Sequence, residues 1–259
     1  MQETDLALLI DAARAAGEIA TGFSGPTARS WDKPDGAGPV TEADLAVNDM
    51  LCDRLQAARP SYGWLSEETE DTVDRLDSDT VFIVDPIDGT RSFAEGSNTW
   101  AHALAVAHKG IVTAAVVYLP LRDLMFSAAS GQGAFLNGAL ISPSDRDELT
   151  GAEMLATRPN MDPKFWAGDV PDFNQSHRPS LAYRMALVAQ GKFDGMLTFR
   201  PSWEWDIAAG DLILREAGAR VTDKAGLPLR FNNPHPTQNG VVAGGALLHA
   251  QVITLLQTD

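Results

Sequence analysis

The chain has 259 residues, of which 44% are hydrophobic and 21% are charged, and its 20 basic and 35 acidic side chains give a formal net charge of −15. This composition is typical of a globular chain with a sizeable apolar core, and it disfavours a disordered, collagen-like or coiled-coil protein. The negative charge disfavours binding to nucleic-acid polymers and to anionic membranes, because it repels their phosphate groups.

The single cysteine, Cys52, excludes an internal disulfide and a cysteine-based zinc cluster. It falls on an apolar-rich predicted helix, where we expect a buried small hydrophobic residue. The segment 1–20 carries acidic side chains where a signal peptide has basic ones, and no apolar run approaches the ~20 residues of a membrane span. These features predict a cytoplasmic protein.

Two helical patterns open the chain. Apolar residues at steps of three and four predict a helix over residues 5–22. A second helix begins after Thr41, the predicted N-cap, with Asp44 as the acidic partner of a capping box, and it ends before Pro60. The segment between them, residues 24–39, is rich in Gly, Pro, Ser and Asp, which predicts a loop and a candidate mobile flap.

Strand patterns follow, and the second half alternates strands with helices. A β-branched apolar run predicts a buried strand at residues 81–84, and residues 101–119 predict a hairpin. Further predicted strands lie at 125–128, 154–157, 195–199, 220–222 and 241–243, and further predicted helices at 181–189, 207–217 and 247–256. This order predicts an α/β fold of the α+β layered kind, with a lobe of residues 1–145 and a lobe of residues 146–259.

The segment DPIDGT, residues 85–90, combines two carboxylates with turn residues at the end of the buried strand. Pro86 fixes φ and lacks a backbone donor, so we expect the chain to leave the strand directly after Asp85 and to return Asp88 to the same side. Gly89 permits a tight bend with accessible amides, and Thr90 offers a hydroxyl at a helix start. Amides favour an anion and paired carboxylates favour a cation, and a divalent ion carrying a phosphate satisfies both.

Each acidic position also has a purely structural interpretation when taken alone. The aspartates of residues 85–88 fit turn positions, the pair at 67–68 fits a solvated surface, and Asp206 fits a helix N-cap. The presence of all three groups, together with Asp44 on an upstream helix, favours one acidic site.

Three motifs in this order resemble the inositol monophosphatase superfamily of magnesium-dependent, lithium-sensitive phosphatases: LSEE at 65–68, DPIDGT at 85–90 and WDIAAG at 205–210. The segment GQGAFLNG at 131–138 also matches a turn of that family, and the resemblance extends to about residue 245. It implies the family's αβαβα sandwich of two sheets and flanking helices, and it implies a homodimer.

The resemblance also implies a role for each matching residue. Glu67, Asp85 and the backbone carbonyl of Ile87 would hold a first Mg²⁺. Asp85, Asp88 and Asp206 would hold a second Mg²⁺, and Glu67 would also serve a weaker third ion. Asp206 is counted among the substrate-binding residues as well.

The remaining implied roles concern the phosphate and the water. The amides of Gly89 and Thr90 would bind the phosphate. Thr90, hydrogen-bonded to Asp44, would orient the attacking water, and Glu68 would support this pair. These roles describe direct hydrolysis without a phosphoenzyme.

The substrate is indicated by fewer residues. Inositol monophosphatases often carry a Glu about seven residues before the last metal-binding Asp, and Phe199 at that position disfavours myo-inositol monophosphate. Arg91, Phe199 and Arg200 look more like the bacterial 3'(2'),5'-bisphosphate nucleotidase branch, in which an arginine would hold a second phosphate and Phe199 would pack on a purine.

Several alternatives stay open. Arg91 and Arg200 also fit surface positions, and Phe199 also fits a core position. Inositol monophosphate, histidinol phosphate and fructose 1,6-bisphosphate are alternative substrates for the same chemistry. A catalytically silent metal-binding regulatory protein belongs to another class, and the presence of both Asp44 and Thr90 disfavours it.

Overall fold

The computed structural model describes residues 4–23, 25–36 and 38–257. The helices in this part of the chain are α1 (Asp5–Gly22), α2 (Glu42–Ala58), α3 (Thr90–Ala94), α4 (Leu181–Ala189), α5 (Glu204–Ala217) and α6 (Ala246–Leu255). The first nine strands are β1 (Ser30–Asp32), β2 (Pro39–Thr41), β3 (Gly63–Ser66), β4 (Thr80–Asp88), β5 (Ala101–His108), β6 (Ile111–Leu119), β7 (Leu124–Ala129), β8 (Ala134–Leu136) and β9 (Ala139–Leu140). The others are β10 (Glu153–Leu155), β11 (Asn174–Ser176), β12 (Gly195–Thr198), β13 (Ser202–Trp203), β14 (Arg220–Thr222), β15 (Thr237–Gln238) and β16 (Val241–Gly244).

Most strands belong to two sheets. The larger sheet has seven strands in the order β3-β4-β5-β6-β7-β8-β9, and only its β3–β4 pair is parallel. The smaller sheet has five strands in the order β11-β10-β12-β16-β14, in which β10 is parallel to both neighbours. The pairs β1–β2 and β13–β15 form short ribbons. The predicted fold class, α/β with two sheets and flanking helices, is confirmed.

Helices cover both faces of the seven-stranded sheet. Alternate residues of a strand point to opposite faces, and in β4 this places Phe82 and Val84 in an apolar layer with residues of α1 and α2. Val81 and Ile83 pack in the other layer, against residues of α4 and α5. Helices α4 and α5, which come from the second half of the chain, therefore cover the sheet that the first half forms.

Gly210 allows α4 and α5 to approach closely. A Cβ atom built on Gly210 would lie 2.6 Å from Cβ and from Sδ of Met185, a distance that real side chains do not show. Gly210 of the WDIAAG segment thus allows α5 to pack closely on α4, one helical turn after Asp206.

Most predicted boundaries agree with the structure. Helices α1 and α4 have the predicted bounds, and the capping box of Thr41 and Asp44 is present at the start of α2. The expectation that Pro86 ends the strand is wrong, because β4 continues to Asp88 through an irregularity in its pairing with β5. Cys52 is half-buried rather than buried, because it lies beside the buried stripe of α2 and not within it.

The predicted flap contains β1 and ends at the first residue of β2; the two strands form a ribbon, and β2 leads directly into α2. Residues 24 and 37 of the predicted flap lie outside the described residues. The predicted lobe boundary falls in residues 141–149, which form no helix or strand, and the division at residue 145 stays a prediction. None of the helices formed by residues 4–23, 25–36 and 38–257 is long and apolar enough to cross a membrane.

Candidate metal centre

Three carboxylates from distant parts of the chain converge at one edge of the seven-stranded sheet. One oxygen each of Glu67, Asp85 and Asp206 lies within 4.8 Å of the others. Glu67 directly follows β3 and Asp85 lies in β4, and these strands are parallel, so their carboxyl ends meet at the same edge. Asp206 is the third residue of α5, whose N-cap is Trp203, so the interpretation of Asp206 as the N-cap is wrong.

A β-bulge in β4 places Asp88 on the same side of the sheet as Asp85. In a regular strand, residues three apart point to opposite faces. Here Asp85 pairs with Ala103 and Asp88 with Ala101, so two residues of β4 stand opposite one residue of β5. As a result, Ile87 packs in the layer of α1 and α2, and the carboxylate of Asp88 reaches α4 on the other face.

The N-terminus of α4 fixes the carboxylate of Asp88. Its Oδ2 atom accepts a hydrogen bond of 2.7 Å from the Ser180 hydroxyl and one of 2.6 Å from the backbone N–H of Ala182. Burial raises the pKa of Asp88 to about 6, against these hydrogen bonds, which lower it. Asp88 does not belong to the group of three carboxylates whose oxygens converge, and its role as a ligand of a second ion stays a prediction.

The centre carries more negative charge than a buried protein site holds without cations. Asp85 is 1% exposed, and among the described residues its Oδ1 atom has no hydrogen-bond partner. Burial, together with the charges of Glu67, Asp88 and Asp206, raises the pKa of Asp85 well above its usual value. Burial and the charges of Asp88 and Glu67 do the same for Asp206.

The donor set fits a hard divalent cation. All three converging groups are carboxylates, and neither histidine nor cysteine belongs to the group. Mg²⁺ and Ca²⁺ prefer oxygen ligands of this kind, whereas zinc sites are typically built with nitrogen or sulfur. The unpartnered oxygen of Asp85 points to a missing positive charge.

Lys33 lies against this centre, and no sequence motif predicts it there. Its Nζ atom is 2.7 Å from a carboxylate oxygen of Glu67 and 2.7 Å from one of Glu68. Burial lowers the pKa of Lys33, but the two glutamates outweigh burial and the pKa is raised. Burial also raises the pKa of Glu68 to about 7, with Lys33 opposing this shift.

Asp44 and Thr90 are in contact, as expected. The Thr90 hydroxyl lies 3.1 Å from Asp44 Oδ1 and 3.1 Å from the carbonyl oxygen of Ile87. The other oxygen of Asp44 accepts hydrogen bonds from the backbone N–H and the hydroxyl of Thr41. Burial raises the pKa of Asp44 to about 6, although the hydrogen bonds from Thr41 and Thr90 lower it.

A cavity of about 630 Å³ adjoins these residues, and one part of its lining is basic. Gly89, the N-cap of α3 with φ at +100°, lines the cavity together with Arg91, Arg184 and Arg200. Arg91 and Arg200 are exposed, which agrees with contact to a ligand and equally with the surface positions that the sequence left open. The charges of Arg200 and Arg184 both act on Asp206.

Phe199 is a core residue at the wall of this cavity. It is 5% exposed, and its ring lies 5.0 Å from that of Phe165 and 5.7 Å from that of Trp166, measured between centroids. The alternative that Phe199 belongs to the core agrees with this packing. Stacking of Phe199 on a purine stays a prediction, and the burial of the ring disfavours it.

A model of the inositol monophosphatase family matches residues 1–258. The chain belongs to the inositol monophosphatase family. The resemblance carried by the three motifs is therefore confirmed.

Two curated relatives and a solved structure are similar to this chain over most of their length. The Nus factor SuhB of Escherichia coli (strain K12) is 34% identical over 235 residues, 85% of each chain. An inositol-1-monophosphatase of Rhizobium meliloti (strain 1021) is 34% identical over 202 residues, 72% of this chain and 73% of that one. The solved IMPase structure of Thermotoga maritima has a TM-score of 0.80 at 28% identity, covering 95% of this chain and 94% of that one.

As a member of the inositol monophosphatase family, the protein is a metal-dependent phosphoric monoester hydrolase. Members of this family act on small phosphorylated substrates. The individual roles predicted for the site residues, the identity of the metal and the number of ions stay predictions.

Lys33, Ser180 and Arg184 were missed because their environment is formed by tertiary structure. Lys33 stands beside a proline in a loop, Ser180 is an ordinary helix N-cap, and Arg184 lies within an apolar helix. Of the three, only Arg184 could have been recognised from the sequence, because a charged residue in a helix this rich in apolar residues is expected to have a partner.

Proposed function

We propose that this protein is a Mg²⁺-dependent phosphatase of a small metabolite that carries a second anionic group besides the scissile phosphate. A 3'(2'),5'-bisphosphate nucleotide is the leading candidate. The observation that carries the metal-dependent hydrolysis is the meeting of Glu67, Asp85 and Asp206 within 4.8 Å, with a buried oxygen of Asp85 that has no hydrogen-bond partner among the residues described. Two Mg²⁺ ions, with a weaker third ion near Glu67, and inhibition by Li⁺ belong to this proposal.

The ligands follow from the arrangement of the carboxylates. Glu67, Asp85 and the Ile87 carbonyl would hold the first ion, and Asp85, Asp88 and Asp206 the second. Bound divalent ions supply charge stabilisation of the phosphoryl oxygens and acidify water. Ser180 and the Ala182 amide prepare Asp88 for this role by fixing the orientation of its carboxylate.

Thr90 and Asp44 would orient the attacking water. If the Thr90 hydroxyl donates its proton to Asp44, its oxygen lone pairs face outward and accept a hydrogen bond from water. Water then attacks the phosphorus atom, the bond to the ester oxygen breaks, and that oxygen leaves as an alcohol after it takes up a proton. The amides of Gly89 and Thr90 would hold a phosphoryl oxygen during this step, and Glu68 supports the site through its contact with Lys33.

A buried arginine supports the second anionic group. Arg184 is 6% exposed, and it donates hydrogen bonds to the backbone carbonyls of Arg178 and Pro179. Within the described residues it forms no ion pair, although a buried cation is costly without one. If Asp88 and Asp206 bind metal ions, their negative charges no longer balance the nearby arginines. An anionic group of the substrate is then the available partner of Arg184 and of Arg200.

Inositol monophosphate is the second candidate substrate, and the relative from Rhizobium meliloti, named an inositol-1-monophosphatase, favours it. The alternative of another class is a catalytically silent metal-binding regulatory protein, and the name of one relative, Nus factor SuhB, specifies no substrate. A phosphate-release assay with Mg²⁺ distinguishes these candidates, comparing 3'-phosphoadenosine 5'-phosphate, inositol 1-phosphate, histidinol phosphate and fructose 1,6-bisphosphate.

We expect the bisphosphate nucleotide to give the highest kcat/KM, with EDTA and Li⁺ suppressing the release. A clear preference for inositol 1-phosphate would contradict the second anionic group and leave the metal-dependent hydrolysis in place. Binding of Mg²⁺ without phosphate release from any substrate would support the regulatory class. A homodimer and a cytoplasmic location stay predictions, and light scattering of the purified protein tests the first.

A further inference from the structure

His102 stands directly opposite the bulge that arranges the metal ligands. Because Asp85 pairs with Ala103 and Asp88 with Ala101, His102 is the residue of β5 that faces both Pro86 and Ile87. The carboxylates lie on the face of the sheet covered by α4 and α5. His102 points to the other face, the layer of α1 and α2, so it touches neither metal nor substrate.

The imidazole is fully enclosed. It is 0% exposed and packs between the rings of Trp100, at 5.4 Å, and Tyr118, at 6.4 Å between centroids. Its Nδ1 atom lies 2.5 Å from the carbonyl oxygen of Pro86. A carbonyl only accepts hydrogen bonds, so Nδ1 carries the proton and donates it.

The other ring nitrogen, Nε2, shows that a histidine at position 102 costs folding free energy. In the described part of the chain, Nε2 of His102 is buried without a hydrogen-bond partner. An aliphatic side chain in this apolar layer would avoid that penalty. Burial lowers the pKa of His102 to about 4, so the ring is neutral at neutral pH and acts as a single donor to Pro86.

The bulge has particular need of such a donor. Pro86 has no backbone N–H, and the regular pairing of β4 with β5 is interrupted between Asp85 and Asp88. Fewer ladder hydrogen bonds therefore hold this stretch than hold the rest of β4. The bond from His102 fixes a carbonyl located between two metal ligands.

We propose that His102 is a positioning residue of the metal centre, which holds the bulge of β4 through the Pro86 carbonyl and so keeps Asp85 and Asp88 directed to the same side. The proposal rests on the proposed metal site and deepens it. Its effect acts on Mg²⁺ affinity, through the backbone and without contact to the ion.

The test compares two substitutions at residue 102. His102→Phe keeps an aromatic ring between Trp100 and Tyr118 and removes the donor, whereas His102→Asn places an amide N–H where Nδ1 stood. Calorimetry measures the Kd for Mg²⁺, and thermal unfolding in EDTA measures the folding of each variant. We expect His102→Phe to raise the Kd about 10-fold, as substitutions behind metal ligands typically do, and His102→Asn to restore most of the affinity.

Val106→Ala is the matched control. Val106 belongs to the same strand and the same apolar layer, and it lies away from the bulge. We expect this variant to lose thermal stability and to keep the Mg²⁺ affinity of the natural chain. If His102→Phe fails to fold, His102→Val replaces it as the variant without a donor.

Two results would overturn the proposal. One is an unchanged Kd in the folded variant without a donor, and the other is an equal loss of affinity in Val106→Ala. A natural chain that binds no Mg²⁺ contradicts both this proposal and the proposed function. A natural chain that binds Mg²⁺ but releases no phosphate contradicts the proposed function alone, because the calorimetric comparison at residue 102 does not depend on turnover.

Discussion

The ammonium group of Lys33 lies 2.7 Å from a carboxylate oxygen of Glu67, one of the three groups that converge in the metal centre. Lys33 is only 14% exposed in its side chain, and it contacts Glu68 as well. The positive charge of Lys33 thus neutralises part of the negative charge that a metal ion would otherwise neutralise. The two cations compete for Glu67, which gives the first prediction.

Lys33→Met removes the competing cation. Without metal, the glutamates lose their counter-charge, and we expect the Tm to fall by several degrees. With Mg²⁺ present, the difference in Tm shrinks and the Kd for Mg²⁺ decreases. Lys109→Met is the control, since Lys109 is 64% exposed and pairs with Asp79 at 3.5 Å on the surface. A variant at residue 33 that binds Mg²⁺ more weakly would contradict the competition.

Asp85→Asn separates catalysis from stability. We expect phosphatase activity to fall at least about 10³-fold, because a ligand of both proposed ions loses its charge. The Tm in EDTA stays equal or rises, since a buried, repelled carboxylate is removed. Asp211→Asn is the matched control: it breaks the 2.9 Å ion pair between the buried Asp211 and the half-buried Arg215 in α5 and should lower the Tm while turnover persists. Full activity in Asp85→Asn would contradict the metal assignment.

The stability of the metal-free protein depends on pH in a defined direction. In the folded chain the pKa of Asp44 is raised from 3.8 to about 6, that of Asp88 from 3.8 to about 6, and that of Glu68 from 4.5 to about 7. The folded state then binds more protons than the unfolded state between pH ~4 and ~7, so stability is present below this window and is lost as the pH rises through it.

Thermal unfolding in EDTA across this pH window checks the direction, and we expect the Tm to fall toward neutral pH. Saturating Mg²⁺ reverses the trend, because the ion binds the deprotonated carboxylates. A Tm in EDTA that rises toward pH 7 would show that other groups dominate.

Thr90→Ala and Thr90→Ser test the orientation of the attacking water. Alanine removes the hydroxyl that lies 3.1 Å from Asp44, and we expect kcat to fall about 100-fold with little change in Mg²⁺ affinity. Serine keeps the hydroxyl and is expected to retain activity within a few-fold. Equal activity of the alanine and serine variants would remove Thr90 from the proposed mechanism.

Arg184→Met tests the second anionic group. Loss of a buried charged donor is expected to raise KM for 3'-phosphoadenosine 5'-phosphate about 10- to 100-fold, with no such change for a substrate with a single phosphate. Arg178→Met is the control, because Arg178 is not among the residues that line the cavity and its guanidinium packs over the ring of Phe193. An equal change in KM for both classes of substrate would contradict a contact of Arg184 with the second anionic group and would indicate a structural role in the site.

Local sequence patterns predicted much of the fold. The apolar repeats gave the bounds of α1 and α4, and the spacing of Thr41 and Asp44 gave the capping box, because each depends on residues within one or two turns. The three motifs also predicted that Glu67, Asp85 and Asp206 meet. These residues were found because each stands beside recognisable turn or helix-start residues.

The other features depend on contacts between distant segments. Pro86 alone indicated a strand end, and only the pairing of β4 with β5 shows that the chain continues through a bulge. Lys33 reaches Glu67 across 34 positions, and Ser180 reaches Asp88 across 92. Such approaches are fixed by sheet order and helix packing, which local periodicity does not encode.

The bulge in β4 makes the length of this segment more critical than its composition. Deleting one residue between Asp85 and Asp88 would remove the bulge and leave both carboxylates on one face, but it would remove or shift the carbonyls of Pro86 and Ile87, which His102 and Thr90 contact. An insertion of one residue there would instead break the correspondence of the second aspartate with Ala101. We therefore expect the distance along the chain between these two aspartates to tolerate no change, even where their neighbours accept other side chains.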